Sequence, residues 1–504
     1  MNLKKLVLLI IQEFKSMKVL RFILIYTLLI NFGCTKDNDD NLIELSDNLE
    51  VSDFIWKGLN EFYYWQTDVP NLSDSMIESQ NKYTQFISQN SEPNSFFDLL
   101  LSPVDKFSWM VDDYVTLENS LQGIVASNGL EFGLTRQCSG CDELVAYVKY
   151  VHPESDASLK NILRGDLFTV VNNFNLNINN YKELLFSESA MTYTITLSRY
   201  ENGNFIADGD NITLTKEENF EKNPLYISKT IPAGSLTGAV TGTYKIGYLM
   251  YNQFVSSYED ELNDVFANFK SESITELVLD LRYNRGGSIN NCIVLSSLVT
   301  GQFTGEVFSK QNWNTKLNSY WEDKNEDLND YFVGSLSSGM ALNSLNLQKI
   351  YVLTSSESAS ASELLINGLA SHIEVIQIGD KTTGKNVGSI TIYDYIDNDG
   401  NKNPNHKYAM QPIVLAIANS DGFSDYTDGL KPNYEIKESV SQMGILGNTQ
   451  ESLLSKAIQV INGVDLSRSS IRQDNLIENR LIDPEMVNEQ KLIIEIPNFR
   501  VLKN

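Results

Sequence analysis

Apolar positions recur along the chain in three successive styles. Over 51–64 (VSDFIWKGLNEFYY), Phe54, Ile55, Leu59 and Phe62 fall at helical spacing, which predicts an amphipathic helix. Aromatic-rich stretches of the same character, Phe96-Phe97 and Phe107-Ser108-Trp109-Met110, continue to about residue 120 and read as core. From about 121 to 230 short alternating runs at 144–148, 168–171 and 193–197 are separated by polar turns, the pattern of a small, mainly β domain. From about 240 onward β runs at 246–249, 277–281, 350–353 and 375–378 alternate with helical ones, and buried strands in that company predict an α/β domain. Between them, 302–345 is polar, Asn-rich and without a strong period, and reads as a surface excursion that could reach over a site. A last helix is predicted near 449–462, before a tail.

Length and composition fit this picture. A chain of 504 residues exceeds one ordinary core, and at roughly 150 residues per domain it suggests about three units. Apolar residues at 42% and charged residues at 21% are those of a folded globular protein. Thirty-nine basic against 65 acidic side chains leave a formal charge of −26, which repels polyanions over most of the surface and argues against a nucleic-acid partner. The plain reading of the acidity is solubility.

The first 34 residues read as an address. Met17, Lys18 and Arg21 precede an apolar run over 22–32 that is short for a membrane span, the arrangement of a secretion signal. The run stops at Gly33-Cys34, and a Cys placed there is where bacterial lipoproteins are cleaved and acylated, so Cys34 is the candidate lipid-bearing residue. Asn31 and Phe32 depart from the usual aliphatic and small residues of that motif, which keeps plain secretion as the alternative. The polar stretch Thr35-Lys36-Asp37-Asn38-Asp39-Asp40 begins a tether and resembles the Lys-plus-acidic signal of Bacteroidetes surface lipoproteins. In an oxidising compartment Cys138 and Cys141 form a small disulfide across a turn or remain two thiols flanking Gly140. No second Cys pair or paired His accompanies them, which argues against zinc, and Cys292 reads as a buried small hydrophobe.

Candidate chemistry concentrates in 351–365 (YVLTSSESASASELL), where a buried strand runs into small residues and then a helix. A Ser at such a helix start meets unpaired backbone N–H groups and the positive end of the dipole, a setting suited to oxyanion chemistry. Serines there also serve simply as N-caps.

Ser358-Ala359-Ser360-Ala361-Ser362-Glu363 resembles the active-site run of the C-terminal processing peptidases, also called tail-specific proteases. The resemblance implies that Ser360 is the nucleophile, that Lys385 of Thr383-Gly384-Lys385 is the general base, and that Glu363 is a helper acid orienting Lys385. The separation 385 − 360 = 25 agrees with the family. Lys381 is the rival, and the Gly-Lys turn favours Lys385. An ordinary Lys is protonated at neutral pH, so a base of this kind must be desolvated. Leu279-Asp280-Leu281-Arg282-Tyr283-Asn284-Arg285-Gly286-Gly287 resembles the family's Gly-Gly loop, which implies that an N–H of Gly286 or Gly287 joins that of Ala361 in an oxyanion hole. Asp428-Gly429-Leu430-Lys431-Pro432-Asn433 is similar to a family turn, with Asn433 in place of its acid. His152-Pro153-Glu154-Ser155-Asp156-Ala157, Leu163-Arg164-Gly165-Asp166 and Val170-Val171-Asn172 resemble the middle of a PDZ domain, a fold that binds peptide tails by strand addition.

The expected architecture is therefore multi-domain α+β with an α/β catalytic core. Its parts are a leader (1–34), a tether (35–48), a helical N-terminal domain (49–120), a PDZ-like domain (121–230), the catalytic domain (231–465) and a tail (466–504). The resemblance implies a serine endopeptidase that acts on proteins or peptides near apolar C-termini through an acyl-enzyme. It would need no cofactor and no metal, and would be lipid-anchored in the outer membrane of the cell envelope. A catalytically inactive surface lipoprotein that binds peptides or glycans is the alternative. A Ser/His/Asp hydrolase is disfavoured, because there is no Gly-x-Ser-x-Gly elbow and only His152, His372 and His406 could serve.

Overall fold

A computed structural model describes residues 49–187, 190–232, 244–397, 399–463 and 492–493. The leader, Cys34, the tether and most of the tail lie outside the described residues.

The α/β core is built on a six-stranded sheet whose spatial order is its chain order: β1 (Leu225–Pro232), β2 (Lys245–Tyr251), β3 (Glu276–Asp280), β4 (Lys349–Thr354), β5 (Glu374–Gly379) and β6 (Tyr434–Glu435). β1 and β2 are antiparallel, with Ile231 opposite Ile246, and every later neighbour is parallel. Side chains alternate between the faces of a strand, so Tyr248, Met250, Val278, Tyr351, Leu353 and Ile378 share one face. They bury it against Leu454, Ala457 and Ile458 of the helix α4 (Ser452–Ile461). The opposite-facing Leu249, Leu279 and Val352 are also fully buried. This double burial explains why the strands read as unbroken apolar runs. Helix α2 (Ile289–Thr300) follows the loop after β3, and α3 (Ala361–Ala370) follows the loop after β4. Both loops thus leave the carboxyl ends of adjacent parallel strands, where open α/β sheets place their ligands.

A second six-stranded sheet contains the segments Gly287–Ser288, Leu492–Ile493, Val387–Ser389, Ile413–Asn419, Val307–Trp313 and Asn329–Tyr331 in spatial order. The excursion expected at 302–345 is therefore corrected. It carries two of these strands and the helix Thr315–Lys324, and Phe308 is fully buried. Its strand escaped notice because Ser309 and Gln311 are polar, yet both are satisfied in place by Asp330.

The β domain has its own core, with Leu144, Ala146, Val148, Phe168, Ile195 and Leu214 inside. Its sheet runs Leu130–Arg136, Leu144–Val151, Leu167–Val171, Thr192–Glu201 and Asn204–Ile206, leaving the first as an edge. The division drawn at 230/231 cuts through β1, whose partner is β2 of the core, a long-range pairing that local pattern cannot reveal. Cys138 and Cys141 are joined as a disulfide, and Cys292 is buried and free.

The N-terminal helical stretch begins with α1 (Glu50–Phe62), as its spacing predicts. It is not closed off from the core. Trp109–Val111 pairs with Ala409–Gln411, and a Cβ on Gly58 of α1 would stand 2.4 Å from Met410 Cε.

Candidate active site

Three loops meet at the leading end of α3: 281–287 after β3, 355–360 after β4, and 380–385 after β5. Their register follows from the sheet, since Leu353 lies opposite both Asp280 and Ile378 in the parallel ladder. Serines stitch the first two loops together. Ser358 Oγ donates to Leu281 O at 2.8 Å, Ser362 Oγ donates to Asn284 O at 2.9 Å, and Ser355 Oγ donates to Arg282 O. Ser360 stands apart from them. It is fully buried, and its Oγ has no hydrogen-bond partner among the described residues. Its φ of 62° and ψ of −114° put a non-glycine residue in a sparsely populated region, a strain of about 1–3 kcal/mol that the surrounding contacts hold in place.

Glu363 ties the third loop to the second. Its Oε2 accepts the backbone N–H groups of Ser360 and Lys385, both at 2.8 Å. Its Oε1 accepts the Gly384 N–H and the Thr382 hydroxyl, both at 2.6 Å. Burial pushes this carboxyl above its usual range, and the donors, Thr382 first, pull it partway back. Three of its four donors are backbone N–H groups, which cannot accept a proton in return, so the arrangement suits the carboxylate. Glu363 thus acts as a clamp on backbone. That differs from the expected i to i+3 helper in that it bonds the N–H groups of both the Ser360 and Lys385 residues at once.

Lys385 is 1% exposed, and its Nζ lies 5.2 Å from the centroid of the Phe107 ring, contributed by the N-terminal stretch. Lys381 is exposed. The Lys385 turn is shaped by interlocked glycines. Gly384 has φ 98°, and a Cβ there would stand 2.3 Å from Thr427 O; a Cβ on Gly429 (φ 90°) would stand 2.1 Å from Thr382 O. Asn433, standing where the family turn carries an acid, accepts the Gln377 N–H through Oδ1 at 2.8 Å and donates its own N–H to Gln377 O at 2.8 Å.

In the glycine loop, Gly286 donates its N–H to Asn284 Oδ1 at 2.8 Å, so of the two glycines expected to offer an N–H this one has its donor engaged within the loop. Asn284 Nδ2 also donates to Tyr251 O at 2.8 Å, pinning the loop to the end of β2. The spacing of the motif contains this Asn, but nothing in the sequence assigns it a role. Behind the loop, the fully buried Arg282 binds Asp280, Glu438 and Glu451, with Nη1 2.8 Å from each glutamate. Burial alone would raise Glu438, but the Arg164 and Arg282 guanidiniums override it and hold its carboxyl far below the usual range. Sequence reasoning missed this cluster, because its members come from four distant stretches.

His372 and His406 are engaged elsewhere, His372 Nε2 bonding Val307 O and His406 Nε2 lying 3.1 Å from Asp394; His152 Nε2 lies 3.5 Å from Glu131 and has no hydrogen-bond partner among the described residues. Among the described residues no group of three or more His, Cys, Asp or Glu could hold a metal ion, and no helix is long and apolar enough to cross a membrane.

Comparison with known proteins gives a consistent match. Residues 245–425 match the model of peptidase family S41, and residues 50–109 match that of the peptidase S41 N-terminal domain. The chain is 21% identical over 345 residues to a CtpA-like serine protease of Staphylococcus epidermidis, a match covering 68% of this chain and 58% of that protein. A CtpA-like serine protease of Staphylococcus aureus is 23% identical over 285 residues, 56% of this chain and 51% of its own. The chain thus spans little more than half the length of the curated relatives it matches. A solved structure from Bacteroides fragilis, assigned to the S41 proteases, shares the fold with a TM-score of 0.62 at 24% identity, covering 82% of this chain and 97% of that one.

Proposed function

The chain is a member of peptidase family S41, and on that premise we propose that it is a serine endopeptidase in which Ser360 is the nucleophile and Lys385 the general base. One observation carries the reading. Of the serines in the run, Ser355, Ser358 and Ser362 donate their hydroxyls to the glycine loop, whereas Ser360 Oγ, at the start of a helix, has no partner among the described residues. The turn bearing Lys385 is bound to the same carboxylate that fixes Ser360.

In the proposed reaction Ser360 Oγ attacks the scissile carbonyl carbon while the neutral Lys385 amine takes its proton. The N–H groups of Ala361 and Gly287 receive the oxyanion, and Lys385 returns the proton to the departing amine. Water then hydrolyses the acyl-enzyme. Glu363 acts as a positioning residue. The substrates proposed are proteins with accessible, apolar C-terminal segments. The edge strand Leu130–Arg136 and the helical turn at Lys182–Phe186 line a shared cavity, and this supports a PDZ-like mode of peptide capture by strand addition. The leader pattern ending at Cys34 supports export and a lipid anchor in the outer membrane.

The test is proteolysis of casein. Ser360→Ala and Lys385→Ala are each expected to abolish cleavage with an unchanged circular dichroism spectrum; undiminished cleavage by either variant overturns the dyad.

A further inference from the structure

A cavity of about 410 Å³ lies where the β domain meets the catalytic core. Its outer wall is the edge strand and helical turn named above; its inner wall includes Arg285 and Gly286 of the glycine loop, Glu357 of the serine turn, and Asn252. Arg285 and the β-domain Lys149 both pair with Glu357, at 2.9 and 2.5 Å, so these charges answer one another.

Asn252 follows directly on β2, and its backbone is fixed. It donates its N–H to Pro224 O at 2.9 Å, and two residues on, Phe254 donates to Gly286 O and accepts from the Ser288 N–H, each at 2.9 Å. The segment is therefore stitched to the glycine loop. Its side chain is not used: Nδ2 and Oδ1 are both buried, and neither has a hydrogen-bond partner among the described residues. Such a pair is unfavourable by itself and calls for an explanation. A carboxamide presents a donor beside an acceptor, the complement of the C=O and N–H of a peptide group. The next residues of the glycine loop, Gly287–Ser288, do pair with extended main chain, that of Leu492–Ile493 in parallel.

We propose that Asn252 is a substrate-positioning residue that reads main chain: Nδ2 donates to a peptide carbonyl, and Oδ1 accepts a peptide N–H, in a polypeptide crossing this cavity from the β domain toward Ser360. The inference rests on the peptidase reading and adds to it the group that orients the chain before attack. It favours backbone over side-chain recognition at this point, since the carboxamide carries no charge.

The test compares Asn252 with Asn252→Leu, which keeps the branched skeleton and removes both polar atoms. Binding of fluorescein-labelled casein is read by anisotropy in the Ser360→Ala chain, and casein turnover is read in the chain that keeps Ser360. Binding is expected to weaken about 10-fold or more, and kcat/KM to fall about 10- to 100-fold, mostly through KM. The thermal midpoint should hold or rise, because an unpartnered polar pair has been removed, whereas a structural role would lower it. Unchanged binding, or lost binding together with a lowered midpoint, overturns the proposal. If the Ser360 chain leaves casein intact while Asn252→Leu still weakens binding, the peptidase reading fails and the role of Asn252 stands.

Discussion

The carboxylate of Glu363 holds Lys385 through its backbone, Oε2 to N–H at 2.8 Å, and the same oxygen accepts the N–H of Ser360. This buried side chain therefore helps to fix the distance between the two loops that carry the proposed nucleophile and base, together with Thr383, whose N–H donates to Ser358 O at 3.0 Å and whose hydroxyl donates to Ser356 O at 2.9 Å.

Replacing Glu363 with Gln tests that clamp. An amide N–H2 placed at the Oε2 side faces the Ser360 and Lys385 N–H groups, and placed at the Oε1 side it faces the Gly384 N–H, where the Thr382 hydroxyl can turn to accept, so at least one hydrogen bond becomes a repulsive contact. We expect casein turnover to fall about 100-fold and stability to drop by about 1–3 kcal/mol, the usual cost of unsatisfied buried donors. Full turnover in Glu363→Gln would show that the loops are held by other means.

Gly384→Ala forces a Cβ to within 2.3 Å of Thr427 O, in a backbone conformation of φ 98°. Gly203 has a comparable φ of 85° with nothing within 4 Å, and serves as the control. Gly203→Ala should cost about 1–2 kcal/mol for its backbone alone and leave turnover intact. Gly384→Ala should lose turnover as well, since it displaces the residue before Lys385. Equal behaviour of the two variants in melting and casein assays would count against a turn held by close contact.

Lys381→Ala separates the two lysines of the turn. Lys381 is exposed and Lys385 is not, so the variant should keep casein turnover within about twofold, in line with the small effect of surface substitutions. A collapse in rate would move the base to Lys381.

Glu438→Gln gives the pH dependence its sign. The folded carboxyl is held below its ordinary value of 4.5 by Arg164 and Arg282 against the cost of burial, so its contribution to stability is complete above that value and is lost as pH falls toward the folded pKa. The variant should be less stable than the parent by about 3–5 kcal/mol at pH 7, as expected when one member of a buried ion cluster is removed. Urea titrations should show the gap closing below about pH 4. A gap that persists or widens in acid would assign the effect to shape and not to charge.

Much of the site was legible in the residues themselves. The strand, the small-residue turn and the apolar helix around Ser360 are local patterns, and the Gly-Lys turn and the Gly-Gly loop are short runs whose backbone demands can be read directly. The expected helix over 51–64 appears as α1, and the expected core strands appear in the central sheet. The strand at Val307–Trp313 was not legible, because its polar residues are satisfied only by Asp330 across the sheet. The edge of the β domain was misplaced for a related reason: β1 carries an alternating pattern that suits either sheet, and only pairing with β2 decides which it joins.

By itself, then, the sequence determined the local chemistry: which hydroxyl starts a helix, where glycine must turn the chain, and the acidic, globular character of the whole. Tertiary structure decided which of these groups are spent. It committed three serines and Gly286 to holding the loops, and it left Ser360 Oγ and the Asn252 carboxamide without partners among the described residues. The physical reason is that hydrogen-bond satisfaction depends on residues far apart in the chain that meet only when the sheet orders its loops, so no local pattern can record it.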